Sequence, residues 1–98
     1  MKATITSTAH YVPDKVLTNT DLEKLVDTSD EWIRSRVGIK QRHVVAENEA
    51  SSDMSTKVAH SLLEKRGIDA SEIDIIIIGT VTPDHPTPST AAIVQNNI

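Results

Sequence analysis

The run "DIIIIGTV", Asp74 to Val81, limits what this chain can fold into more than any other stretch. Its four consecutive isoleucines are β-branched, and the run is too short to make a helix of its own. Apolar residues without polar alternation mark a strand covered on both faces, as in the centre of a parallel sheet. The segment before it carries the helical period: Met54, Val58, Ala59, Leu62 and Leu63 recur within a helix predicted from about Ser52 to Arg66. Lys65 and Arg66 suit the negative end of that helix, and Gly67 followed by Ile68 reads as a glycine stop with its hydrophobic contact. Near the start, "ATITSTA" at residues 3–9 reads as a strand with Ile5 as its large apolar side chain. Strand, helix and parallel strand make a crossover unit of right-handed sense. The expected class is α/β, an incomplete mixed sheet flanked by helices.

The remaining elements follow from local signals. Pro13 and Asp14 mark a turn in "HYVPDKVLTN". Thr20 and Glu23 have capping-box spacing at the head of a helix with Leu22, Leu25 and Val26 as its apolar stripe. Thr28 and Glu31 repeat the spacing before "DEWIRSRVG". There Asp30 and Glu31 suit the first turn, Arg34 and Arg36 the last, and Gly38 the left-handed stop. Ile33 and Val37 are expected to face the core. "IKQRHVV" reads as a short strand, "ENEASSD" as a polar loop and "TPDHPTP" as an irregular one, after which Ser89 caps a helix still running at Ile98. A parallel strand of isoleucines needs cover on both faces, and a chain of 98 residues supplies that poorly. The expectation is therefore the opening portion of a larger α/β enzyme; the rival is a complete small domain that closes its sheet by dimerising. On the first reading, these residues alone should expose the isoleucine face and the Met54–Leu63 stripe.

Composition excludes several functions. Without cysteine, these residues hold no disulfide, thiolate metal site or cysteine nucleophile. A net charge of −4 disfavours a general nucleic-acid binder, because phosphate affinity needs clustered positive charge. No stretch approaches the roughly 20 apolar residues of a membrane span, and nothing resembles a signal peptide, so no membrane partner and a cytoplasmic address are expected. His10, His43, His60 and His85 lack metal-ligand spacing, so no metal site is predicted. His60 is expected at the solvent edge of the long helix, and His85, beside Asp84, is read as structural rather than catalytic. Ser89 lacks the context of a nucleophile and is read as a cap. Gly38, Gly67 and Gly79 are too far apart for a phosphate loop.

One basic run stands out against the acidic whole: Arg34, Arg36, Lys40 and Arg42 follow the only tryptophan, Trp32. Trp32 and Arg36 are one helical turn apart, on one face. An indole beside a guanidinium suits a nucleotide, with the ring stacked on a base and the cation against a phosphate. The alternative is a cation–π pair that only covers the helix.

The segments "YVPDKVLTNTDLEKLVDTSDEWIRSRVGIKQRHVV" and "IDIIIIGTVTPDHPTPSTAA" resemble the opening signature of the β-ketoacyl-[acyl-carrier-protein] synthase III family. Before Tyr11 the match is looser. The resemblance implies a thiolase-like fold of two similar α/β halves paired as a homodimer, with residues 1–98 the N-terminal part of the first half. It implies a decarboxylative condensation of acyl-coenzyme A with malonyl-acyl-carrier protein that initiates fatty-acid synthesis, with acyl-coenzyme A as substrate and no cofactor. The residues matching Thr28, Trp32 and Arg36 line the coenzyme A site, the indole on adenine and the arginine at the phosphates. The family's catalytic cysteine, histidine and asparagine fall beyond residue 98, so no catalytic residue is expected here and the 98 residues alone should be inactive. Thr87 matches a loop residue that closes the partner subunit's acyl pocket, where a bulky aromatic is common. Threonine there implies a roomier pocket for primers longer than acetyl. Two other readings are a related condensing enzyme with a different acceptor and a non-catalytic dimerising α/β module.

Overall fold

The computed structural model describes residues 1–98, all of the chain. They divide into two compact units, Val12–Asn48 and Met1–Tyr11 with Glu49–Ile98.

The first of these is built on a two-stranded antiparallel sheet. Strand β1 (Lys15–Thr18) pairs with β2 (Gln41–Val44), Lys15 opposite Val44 and Thr18 opposite Gln41. β2 was legible in the sequence; β1 falls in the stretch read as a turn, and its four residues are strand because β2 supplies the ladder. Where β1 ends, α1 (Asn19–Glu23) begins, and a capping box closes it. Thr18 Oγ1 accepts the Asp21 N–H at 3.1 Å, while the Asp21 carboxylate accepts the Thr18 N–H at 2.9 Å. The box thus lies two residues before the expected Thr20–Glu23 pair. Glu23 instead reaches forward, and its carboxylate accepts the Asp30 N–H at 2.7 Å, at the first turn of the next helix. Leu25 and Val26 lie past the end of α1 and are exposed, so the apolar stripe expected there stops at Leu22.

Helix α2 (Asp30–Val37) is capped by Ser29, one residue later than expected, with its Oγ accepting the Trp32 N–H at 3.1 Å. Its end is as written in the sequence: Gly38 has φ 73°, and its N–H donates to the Arg34 carbonyl at 2.9 Å. Only a residue without Cβ adopts that backbone freely. Ile33 is buried as expected, but Val37 is exposed, because the helix stops at that residue and turns away.

In the second unit, α3 (Ser51–Arg66) follows the predicted helix to within a residue and ends at Gly67 with φ 66°. The N–H groups of Gly67 and Ile68 both donate to the Leu63 carbonyl, at 2.8 and 3.2 Å, which is the expected glycine stop. A short 3-10 turn, Ala70–Glu72, follows. Helix α4 (Thr90–Asn97) starts at Ser89, whose Oγ accepts the Ala92 N–H at 3.2 Å. It packs on α3, burying Val94, and Asn97 Nδ2 donates to Thr56 Oγ1 at 3.1 Å.

Two expected strands are absent. Residues 3–9 and 74–81 form no ladder, so neither the parallel central strand nor the crossover unit exists within this chain. The reason is physical: a strand is completed by hydrogen bonds to a neighbour, and neither segment has one here. Ile76 and Ile78 are half-buried, whereas Ile75 and Ile77 are 76% and 87% exposed. The isoleucine run is therefore covered on one face rather than two. An open apolar groove of about 670 Å³ lies beside it, lined among others by Met54, Val58, Leu62, Ile76, Ile78 and Val94.

Candidate functional site

Helix α2 carries the candidate site, and its local chemistry fixes which way its side chains point. The Ser29 cap and the Gly38 stop set the two ends. With Ile33 turned inward, Trp32 and Arg36 fall on the outer side, and Trp32 is 57% exposed. The Arg36 guanidinium carbon lies 5.6 Å from the centroid of the indole, within cation–π range. Thr28, half-buried, immediately precedes the cap. The structure thus brings Thr28, Trp32 and Arg36 onto one short segment, with the ring open to solvent and a cation beside it. An exposed π-face of this kind can stack on a base, and a guanidinium can meet phosphate oxygens with a planar fork of donors.

The other cations of the basic run have different uses. Arg34 pairs with Asp30 at 3.3 Å, an exposed i,i+4 contact of small energetic weight. Arg42 points into its own unit, donating to Asn19 Oδ1 at 2.8 Å and to the Leu17 carbonyl at 3.3 Å. Asp30 is held below the usual carboxylate range, chiefly by the hydrogen bond from Asn19 and with help from Arg34, against a partly opposing effect of desolvation. Asn19 is the neighbour of the candidate site that sequence reasoning missed. A capping or turn asparagine is common enough that nothing local distinguishes a buried one. An open depression of about 520 Å³ along α2 is lined by Asp30, Glu31, Arg34, Ser35, Gly38 and Lys40 and includes neither Trp32 nor Arg36.

Thr87 belongs to the second unit, exposed in the proline-rich loop before Ser89. That loop is tied to the start of α3. Ser51 Oγ donates to the Thr82 carbonyl at 2.7 Å, and the Asp84 carboxylate accepts both the Ser52 N–H at 2.8 Å and its hydroxyl at 2.5 Å. The Ser52 hydroxyl bond and then its N–H hold the Asp84 carboxyl below its ordinary value. His85 is exposed next to it, and His60 is exposed on α3. No group of three or more His, Asp or Glu is arranged to hold a metal ion, and no helix is long and apolar enough to cross a membrane.

The backbone is part of a thiolase-like α/β fold. It matches the crystal structure of 3-oxoacyl-[acyl-carrier-protein] synthase III from Aquifex aeolicus VF5 with a TM-score of 0.85 and 48% identity, over 91% of this chain and 29% of that one. The β-ketoacyl-[acyl-carrier-protein] synthase III of Chlorobaculum tepidum is 54% identical over 99 residues, covering 100% of this chain and 30% of the relative. That of Solibacter usitatus is 58% identical over 97 residues, covering 99% and 29%. No protein-family profile matches the sequence. The chain belongs to the β-ketoacyl-[acyl-carrier-protein] synthase III family, and it spans about 30% of the length of these relatives.

Proposed function

We propose that these residues supply the coenzyme A platform of a β-ketoacyl-acyl-carrier-protein synthase III, a homodimeric cytoplasmic acyltransferase that starts fatty-acid synthesis. The observation that carries this reading is the half-exposed indole with a guanidinium 5.6 Å from its centre, on a helix capped at both ends. Trp32 stacks on the adenine, Arg36 neutralises phosphate charge and Thr28 lines the edge of the same site. Coenzyme A is here the carrier of the substrate, and no resident cofactor is required. The acyl group passes from the coenzyme A thiol to a cysteine outside these 98 residues, which contain none. Malonyl-acyl-carrier protein then loses carbon dioxide; the resulting carbanion attacks the acyl thioester, and the cysteine leaves as thiolate. The 98 residues contribute binding rather than bond chemistry, and alone they are inactive. Thr87, in a loop anchored by Ser52, leaves room in the acyl pocket for primers longer than acetyl.

The test is acyl-enzyme formation from radiolabelled acyl-coenzyme A in the full-length protein. Trp32→Ala should raise the half-saturating concentration at least roughly fivefold, since stacking of a base on an aromatic ring is worth about 1–3 kcal/mol. Equal loading at every concentration would refute the platform. A strict preference for acetyl over longer primers would refute the reading of Thr87.

A further inference from the structure

We infer that Asn19 is a positioning residue for coenzyme A binding: it holds the helix that carries Trp32 and Arg36 by both ends. The inference rests on the coenzyme A reading of those two residues. Asn19 is 1% exposed and is the first residue of α1. Its backbone N–H and both ends of its side-chain amide are engaged. The backbone N–H donates to the Lys40 carbonyl at 3.1 Å. The side-chain Nδ2 donates to Asp30 Oδ1 at 2.9 Å and to the Ile39 carbonyl at 2.7 Å. Its Oδ1 accepts from Arg42 Nη2 at 2.8 Å. Asp30 is the first residue of α2, and Ile39 is the residue after its glycine stop. One buried amide therefore grips the helix on either side of Trp32 and Arg36.

The chemistry of the position leaves little choice of residue. Two acceptors face Nδ2 and a cation faces Oδ1, so the amide has one orientation; the flipped form would set oxygen against a carboxylate and nitrogen against a guanidinium. Aspartate would place a second carboxylate against Asp30. Leucine would leave the Arg42 guanidinium and the Asp30 carboxylate without this partner, and a buried donor or acceptor left unpaired costs the full desolvation of that group. Trp32 has no such anchor of its own. Its backbone N–H meets the Ser29 cap and its ring meets Arg36, both on or beside the same helix. The placement of the indole is inherited from the helix, which Asn19 holds at both ends beside the Glu23 contact to the Asp30 N–H and the buried Ile33. A displacement of about an ångström at a binding group is enough to cost most of its contribution.

The experiment uses the full-length synthase and four variants: Asn19→Ala, Asp30→Ala, Asp30→Asn and Trp32→Ala. KM for acyl-coenzyme A, KM for malonyl-acyl-carrier protein and kcat are measured for each. Asn19→Ala and Asp30→Ala should raise the first KM roughly five- to tenfold, the equivalent of about one buried hydrogen bond, with kcat and the second KM unchanged. Asp30→Asn keeps the oxygen that Asn19 donates to and should restore near-parental binding. If Asn19→Ala does not fold, Asp30→Ala, at a half-buried position, decides. KM values for acyl-coenzyme A unchanged in folded Asn19→Ala and Asp30→Ala, beside a raised value in Trp32→Ala, would overturn the positioning role and leave the platform standing. No effect of Trp32→Ala would remove the platform and the inference with it. A loss of kcat in step with both KM values would reduce Asn19 to a general structural residue and overturn the inference.

Discussion

The two compact units solve the same problem in opposite ways. Residues 12–48 contain their own sheet, and the polar groups around it are closed within the unit: capping box, glycine stop and the four hydrogen bonds of Asn19. The unit formed by Met1–Tyr11 and Glu49–Ile98 has the longest helix and the most apolar segment of the chain, yet no strand. Its isoleucines lie extended beside an open groove, with Ile77 facing solvent. Closure by polar contacts made within the first unit makes it a defined platform of a few dozen residues. The second has no strand pairing, and much of its apolar surface is open to water. The helix that carries the proposed coenzyme A residues belongs to the former kind of structure.

Three substitutions or conditions sharpen that contrast. Ile33→Ala, in the closed unit, removes most of a buried side chain and should lower stability by about 2–4 kcal/mol in urea unfolding. A loss below about 0.5 kcal/mol would show that the unit is not held by this core. Acidification should act locally on the other unit. Asp84 has a folded-state pKa below its unfolded value, because Ser52 donates to its charged form. Its contribution is therefore complete above about pH 4, the unfolded value, and is lost as pH falls through the lower folded value. The Ser52 amide resonance should move in that acid window, freeing the loop that bears Thr87, and Asp84→Asn should abolish the transition. A Ser52 resonance that titrates unchanged in Asp84→Asn would contradict the anchor. The smallest effect belongs to Ile77→Ala in these 98 residues. The side chain is 87% exposed, so stability should change by less than about 0.5 kcal/mol despite the greater β-propensity of isoleucine. A cost near that of Ile33→Ala would mean that the isoleucine face is covered in solution, by a second copy or otherwise.

The same division explains what could be read from the sequence. Helix ends were legible because their determinants are local: Gly38 and Gly67 take positive φ where the sequence placed the stops, and Ser89 caps α4. Caps slipped by one or two residues, to Thr18 and Ser29, where neighbouring candidates compete and the exit of a strand decides. Strand pairing was not local and failed in both directions. Lys15–Thr18 became a strand that the turn signals hid, while residues 74–81, with the strongest β composition, have no partner in the chain. At the site, the spacing of Trp32 and Arg36 was sufficient to put them on one face, since helical periodicity alone dictates it. The rest of the basic run shows that sequence gives charge but not direction: Arg42 turns inward to Asn19, and Arg34 pairs with Asp30. Asn19 carries no local signal of its burial, since its partners are eleven to twenty-three residues away.

The central claim is that the outward indole of α2 receives the adenine of coenzyme A, and residue-resolved oxidative footprinting of Trp32 tests it most directly. Trp32 is 57% exposed and should be oxidised readily in the free full-length protein. Saturating coenzyme A should protect it strongly, while pantetheine, which has the thiol arm but no adenine, should leave it open. Oxidation of Trp32 at the same rate with and without coenzyme A would contradict the account.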